Sequence, residues 1–85
     1  MTQFYYFSTA WCGPCKAFKP VVQEVVAEKN IPMQFIDAQH NQALAQQFGV
    51  TSVPTIIAAK NGQTVFRHTG AMAKSALANT LAALI

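Results

Sequence analysis

Charge is scarce in this sequence. Charged residues fill 11% of the 85 positions and hydrophobic ones 52%. That balance lies far from the polar, highly charged compositions that keep chains disordered, so a packed interior that forms without a partner is expected. Three acids, Glu24, Glu28 and Asp37, face six scattered bases, Lys16, Lys19, Lys29, Lys60, Arg67 and Lys74, leaving a formal charge of +3 with no basic run. A surface that tracks phosphates needs clustered Lys and Arg interleaved with stacking aromatics, so nucleic-acid binding is not indicated. No apolar run approaches the ~20 residues that cross a bilayer. Met1 to Phe7 carries neither the basic segment nor the long apolar core of a secretory signal. The expectation is a soluble, cytoplasmic chain without membrane attachment. The only cysteines, Cys12 and Cys15, are too few for the disulfide framework of a small secreted domain, and point to redox or metal chemistry instead. At this length, residues 1–85 are read as a single domain and a monomer.

What is present is ordered as alternating elements. The aromatic run Phe4 to Phe7 suits a buried strand that leads through Ser8-Thr9-Ala10 into the cysteines. Phe18, Val21, Val22, Val25 and Val26 then recur at helical spacing, predicting a helix over about Pro14 to Lys29, ended by Asn30 and Pro32. Pro14 suits the first turn, whereas Pro20 falls inside the pattern and should bend the helix. Met33 to Asp37 reads as a second strand. A shorter helix follows, with Leu44 and Phe48 on one face and Gly49 as its C-terminal cap. Thr55 to Ala59 and Thr64 to His68 are strand-like, and Asn61-Gly62 between them is a strong hairpin signal. From Ala73 to Ile85, Leu77, Leu81 and Leu84 share a helical face. The order βαβα-ββα implies an α/β fold: a four-stranded mixed sheet flanked by three helices, its βαβ unit parallel and right-handed.

The chemistry concentrates in Trp11-Cys12-Gly13-Pro14-Cys15. Thiolate rather than thiol attacks a disulfide, so a catalytic cysteine needs surroundings that lower its pKa below the free value of ~8.5. A helix N-terminus supplies them, through unpaired backbone N–H groups and the positive end of the helix dipole. Cys12 stands at that terminus as the nucleophile, and Cys15, one turn later, can resolve a mixed disulfide on it. The cycle reduces the substrate and leaves Cys12–Cys15 oxidised as a redox-active disulfide, with no bound cofactor or metal required. Gly13-Pro14 makes the connecting turn rigid and compact.

At these residues the sequence resembles the thioredoxin family, whose active-site signature is matched by Trp-Cys-Gly-Pro-Cys-Lys at Trp11 to Lys16. Further along, Ser52-Val53-Pro54-Thr55 is similar to the family's cis-proline loop, Lys60-Asn61-Gly62 to its hairpin turn, and Gly70-Ala71 to the border of its substrate groove. The resemblance implies a cis Pro54 facing the disulfide, and a groove for an extended substrate backbone bordered by Trp11, Gly13, Pro14, Val53, Pro54, Gly70 and Ala71. It also implies disulfide-containing protein substrates and an NADPH-dependent thioredoxin reductase as electron donor. The chain departs from the family in starting without the usual N-terminal strand and helix, a minimal thioredoxin fold close in size to glutaredoxins. The buried acid six positions before the nucleophile and its partner lysine correspond to Tyr6 and Met33, and the tryptophan four positions before it to Ser8. Activation is therefore expected to rest mainly on the helix terminus, with water or the Tyr6 hydroxyl as proton relay.

Three other readings compete with a protein-disulfide reductase. Cys12 and Cys15 could form half of a zinc site with His40 and His68, although the spacing does not resemble compact finger spacing. A thioredoxin fold could serve as a binding module or assembly subunit independently of redox. A glutathione-coupled, glutaredoxin-like enzyme or an oxidase would keep the chemistry and change donor or direction, since potentials of C-x-x-C proteins span about −270 to −120 mV.

Overall fold

A computed structural model describes residues 1–85 throughout. Thr2–Ser8 forms β1, Gly13–Lys29 α1, Met33–Asp37 β2, Gln42–Gln47 α2, Thr55–Lys60 β3, Gln63–Thr69 β4 and Lys74–Leu84 α3. The strands make one sheet in the order β2-β1-β3-β4. β1 and β2 pair in parallel, joined by the α1 crossover, whereas β3 runs antiparallel to both β1 and β4. This is the expected βαβα-ββα arrangement, a minimal thioredoxin-type α/β fold.

The uninterrupted aromatic run of β1 follows from its central place in the sheet, which covers it on both faces. Successive side chains alternate between those faces. Phe4 and Tyr6 join Phe18, Val22 and Val25 of α1, Ile56 of β3, and Leu77 and Leu81 of α3 in the larger core. Tyr5 and Phe7 point the other way, into a smaller core with Ala45 and Phe48 beside α2 and Ile57 of β3. Ala45 of α2 and its C-cap Phe48 are buried and half-buried Leu44 packs against the same smaller core, so Leu44 and Phe48 share a face as expected, with Ala45 beside them.

Helix ends and turns follow their local chemistry. Asn30 closes α1 in the left-handed conformation, and Gly49, at φ +67°, takes the corresponding place one residue beyond the C-cap Phe48 of α2. The Arg67 guanidinium of β4 donates to the carbonyls of Phe48 and Gly49, tying that helix end to the sheet. Pro20 lies within α1, which continues as one helix of 17 residues to Lys29. Asn61 and Gly62 both have positive φ, as a two-residue hairpin turn needs. A register irregularity between Ala58 and Ala59 interrupts the β3–β4 ladder just before that turn. On the outside, the Lys74 ammonium at the start of α3 bridges Glu24 and Glu28 of α1 at 3.0 and 2.8 Å. The Thr2 hydroxyl donates to the Leu84 carbonyl at 2.7 Å, holding the start of β1 against the end of α3.

Candidate active site

Strand register gathers the site at one end of the sheet. Phe7 pairs with Thr55 and Ser8 with Asp37, while Thr55 also pairs with Thr69. The cysteine turn leaving β1, the loop entering β3 and the Gly70-Ala71 segment leaving β4 therefore emerge side by side. Phe7, whose side chain is fully buried, anchors the strand that carries the cysteines.

Cys12 is the N-cap of α1, in an extended conformation, with Gly13 and Pro14 as the first helical residues. The Cys12 N–H donates to the Thr9 carbonyl at 3.3 Å, folding the intervening turn. Cys12 and Cys15 are joined as a disulfide, with Cα atoms 5.2 Å apart. The Cys15 N–H donates to Cys12 Sγ at 3.0 Å, a bond that strengthens when this sulfur carries a negative charge. No acid stands in the first turn to compete for the helix N-terminus. Exposure separates the two sulfurs' residues: Cys12 is half-buried, whereas Cys15 is 2% exposed. Trp11 is 85% exposed, which sets aside a role for it in filling the core. Gly13 and Pro14 are exposed as well, with open space beside Gly13.

The Val53–Pro54 peptide is cis. Pro54 is buried, and its carbonyl accepts the Gly70 N–H at 2.8 Å, which joins the two segments expected to border one groove. Gly70 holds φ at +100°, a conformation side chains rarely allow. Thr55, also buried, braces the loop: its hydroxyl lies 2.6 Å from the Ser52 carbonyl and 3.1 Å from the Thr69 hydroxyl. Thr55 and Thr69 carry no sequence signal of this bracing, because it depends on pairing across β3 and β4. Val53 is half-buried against the smaller core, and Ala71 is exposed.

Tyr6 stands beneath Cys15. Its hydroxyl donates to the Cys15 backbone carbonyl at 3.0 Å, not to a sulfur, and burial pushes its pKa up. The relay expected of this hydroxyl is thereby narrowed to holding the helix turn that carries Cys15. Opposite it in the β1–β2 register is Phe35, whose ring packs edge-on to Tyr6, while Met33 pairs with Phe4. His40 and His68 do not assemble with the cysteines: His40 Nδ1 lies 2.8 Å from an Asp37 oxygen, and His68 Nε2 lies 3.4 Å from the Ala71 carbonyl. No group of three or more His, Cys, Asp or Glu side chains is placed to hold a metal ion. Asp37, not singled out from sequence, caps the turn after β2 through the Gln39 and His40 N–H groups at 2.9 and 3.4 Å. The His40 hydrogen bond, helped by those N–H groups, holds its carboxyl below the usual range.

Two open cavities flank the cysteine turn. One, of about 340 Å³, lies beneath it and has Ser8, Cys15, Lys16, Lys19 and Asp37 in its wall. The other, of similar size, lies between α2 and the cis-proline loop, with Ala45, Val50 and Val53 in its wall beside Gln39, Gln42, Gln46 and Ser52.

Comparison with known proteins agrees with this geometry. The family model described as Thioredoxin matches residues 3–83. Over 75 residues the chain is 43% identical to thioredoxin of Haemophilus influenzae, covering 86% of this chain and 70% of that one. It is 42% identical over 79 residues to thioredoxin of Mycolicibacterium smegmatis, covering 88% and 70%. A bifunctional thioredoxin reductase/thioredoxin of Mycobacterium leprae is 37% identical over 81 residues, which is 93% of this chain and 18% of that protein. Among solved structures, a mutant thioredoxin from Halobacterium salinarum superposes with a TM-score of 0.88 at 31% identity, covering 98% of this chain and 74% of the other. With its disulfide at the start of α1 and these relatives, the chain is a thiol-disulfide oxidoreductase, a protein-disulfide reductase, and it belongs to the thioredoxin family.

Proposed function

We propose that the chain reduces disulfides in proteins by a cycle in which Cys12 is the nucleophile and Cys15 the resolving thiol. The observation that carries this assignment is the asymmetry of the pair: Cys12 caps α1 and reaches solvent, while Cys15 is buried behind it. Thiolate at Cys12 gains the Cys15 N–H and the helix dipole. It attacks a substrate sulfur, forming a Cys12 mixed disulfide and releasing one substrate thiolate. Cys15 then attacks Cys12 Sγ, the bond to the substrate breaks, and the second substrate thiol leaves.

An extended substrate segment lies across Trp11, Gly13 and Pro14 on one side and Val53, Pro54, Gly70 and Ala71 on the other. Support comes from the common end of the sheet from which these segments emerge and from the Gly70–Pro54 hydrogen bond. Electrons come from an NADPH-dependent thioredoxin reductase, consistent with the fused reductase/thioredoxin of M. leprae. The 85 residues act as one domain and a monomer in the cytoplasm, without a bound cofactor; no helix is long and apolar enough to cross a membrane.

Trapping tests the roles. Incubated with a disulfide-containing protein, Cys15→Ser should accumulate as a covalent adduct through Cys12, visible by mass and released by dithiothreitol, whereas Cys12→Ser should neither reduce the substrate nor form the adduct. An adduct through position 15 instead, or reduction that survives without Cys12, would overturn the assignment. Biological activity retained by a variant lacking both cysteines would favour a binding module.

A further inference from the structure

The cavity beneath the cysteine turn places an opening at the residue that most needs one. Cys15 is almost wholly covered, yet it forms part of the wall of an open space of about 340 Å³. None of the proposed groove residues lines that space. A substrate held on Cys12 therefore leaves this side of Cys15 uncovered.

Cys15 must lose a proton before it can attack the mixed disulfide, and the protein offers no free base to take it. Tyr6, the titratable group of β1 beneath it, has its hydroxyl engaged by the Cys15 carbonyl. Glu24 and Glu28 are paired with Lys74 at the α3 side of α1. Asp37 of β2 lines the cavity, but its oxygens already accept from Gln39, His40 and the His40 ring. The remaining charges on the wall are Lys16 and Lys19 of α1, with the Lys19 ammonium 5.7 Å from the centre of the Phe35 ring. Both cations favour thiolate and draw small anions inward.

We infer that this cavity is the proton outlet of Cys15, through which water and small bases dissolved in it take the thiol proton directly. Ser8, with its short side chain at the end of β1, keeps the outlet open. In the step itself a solvent base removes the Cys15 proton, the Cys15 sulfur bonds to Cys12 Sγ, and the bond from Cys12 to the substrate sulfur breaks. The departing substrate thiolate takes a proton from water, so no further oxidant or reductant enters. This inference rests on Cys15 as the resolving thiol.

A test follows the full reduced chain reacting with dithiodipyridine in a single turnover. The first thiopyridone released reports attack by Cys12, and the second reports resolution by Cys15. Absence of the second phase in the parent removes the resolving role itself, and the outlet with it. When that phase is present and lost in Cys15→Ser, its rate is measured against buffer concentration at constant pH and ionic strength. General-base transfer predicts a rise of roughly twofold or more over an about tenfold increase in hydrogen phosphate, with a shallower slope for imidazole. Ser8→Trp, which fills the cavity, should flatten the slope while leaving the first phase intact, and Ser8→Leu should reduce it if the larger side chain prevents folding. Asp37→Asn should keep the slope. A second phase indifferent to buffer in the parent overturns the outlet, as does a slope unchanged by filling position 8. A buffer-independent rate that falls in Asp37→Asn and is restored by added buffer assigns the proton to that carboxylate and overturns direct transfer.

Discussion

Tyr6 shows how one hydroxyl can satisfy a buried place where a charge would be costly. No buried side-chain nitrogen or oxygen lacks a hydrogen-bond partner, and the Tyr6 hydroxyl meets that condition through the Cys15 carbonyl. Replacing it with phenylalanine removes the bond while keeping the edge-on contacts with Phe18 and Phe35. Tyr6→Phe should therefore lower stability at neutral pH by about 1 kcal/mol in denaturant melts. Its pH dependence has a definite sign. Burial raises the phenol pKa above the ordinary value of 10.0, so the folded state resists losing that proton more than the unfolded chain does. The contribution is whole below the ordinary value and is lost as pH rises through the higher folded one. The parent should lose stability more steeply in alkali than Tyr6→Phe, and melts across that range measure the difference.

Among the elements, α3 packs with α1 and the sheet in the larger core. Leu77 and Leu81 are fully buried in the larger core, and Leu84 is half-buried at its margin. Leu81→Ala should cost about 2–5 kcal/mol in equilibrium unfolding, and Leu84→Ala clearly less. At the β3–β4 turn the limit is conformational: Gly62 sits at φ +80° with nothing near its missing Cβ. Gly62→Ala should cost about 1 kcal/mol or more through backbone strain alone, read as a lower melting temperature with turnover kept. These elements are legible in the sequence because each carries its own local pattern: the Asn61-Gly62 pair, the valine spacing of α1, the leucines of α3, and the aromatic run of β1. Cys12 is legible for the same reason, since an N-cap position is a local property of strand followed by helix. The bracing of the cis-proline loop by Thr55 and Thr69, the Gly70–Pro54 bond and the cavity beneath Cys15 are not, because each arises where segments distant in sequence meet. The Tyr6 position can be identified, but the direction of its hydroxyl depends on how α1 lies across β1.

Over the whole molecule the charges are unevenly placed. Glu24 and Glu28 share the single cation of Lys74, and Lys16 and Lys19, in the first turns of α1, line the same cavity as Asp37. The chain as a whole carries a net charge of +3. Opposite charge speeds encounter and salt screens it, so kcat/KM for an acidic disulfide protein should fall as ionic strength rises, and that for a basic one should not. Steady-state assays on two substrates of opposite charge read this directly. The Thr2–Leu84 hydrogen bond has a different kind of consequence. Both ends of the chain lie at the start of β1, one strand length, about 20 Å, from the disulfide. They could be sewn together by a short linker and the ring cut open at Asn61-Gly62, giving a circular permutant that keeps its sheet. Cargo attached to either end would hang from the pole remote from the reacting sulfurs.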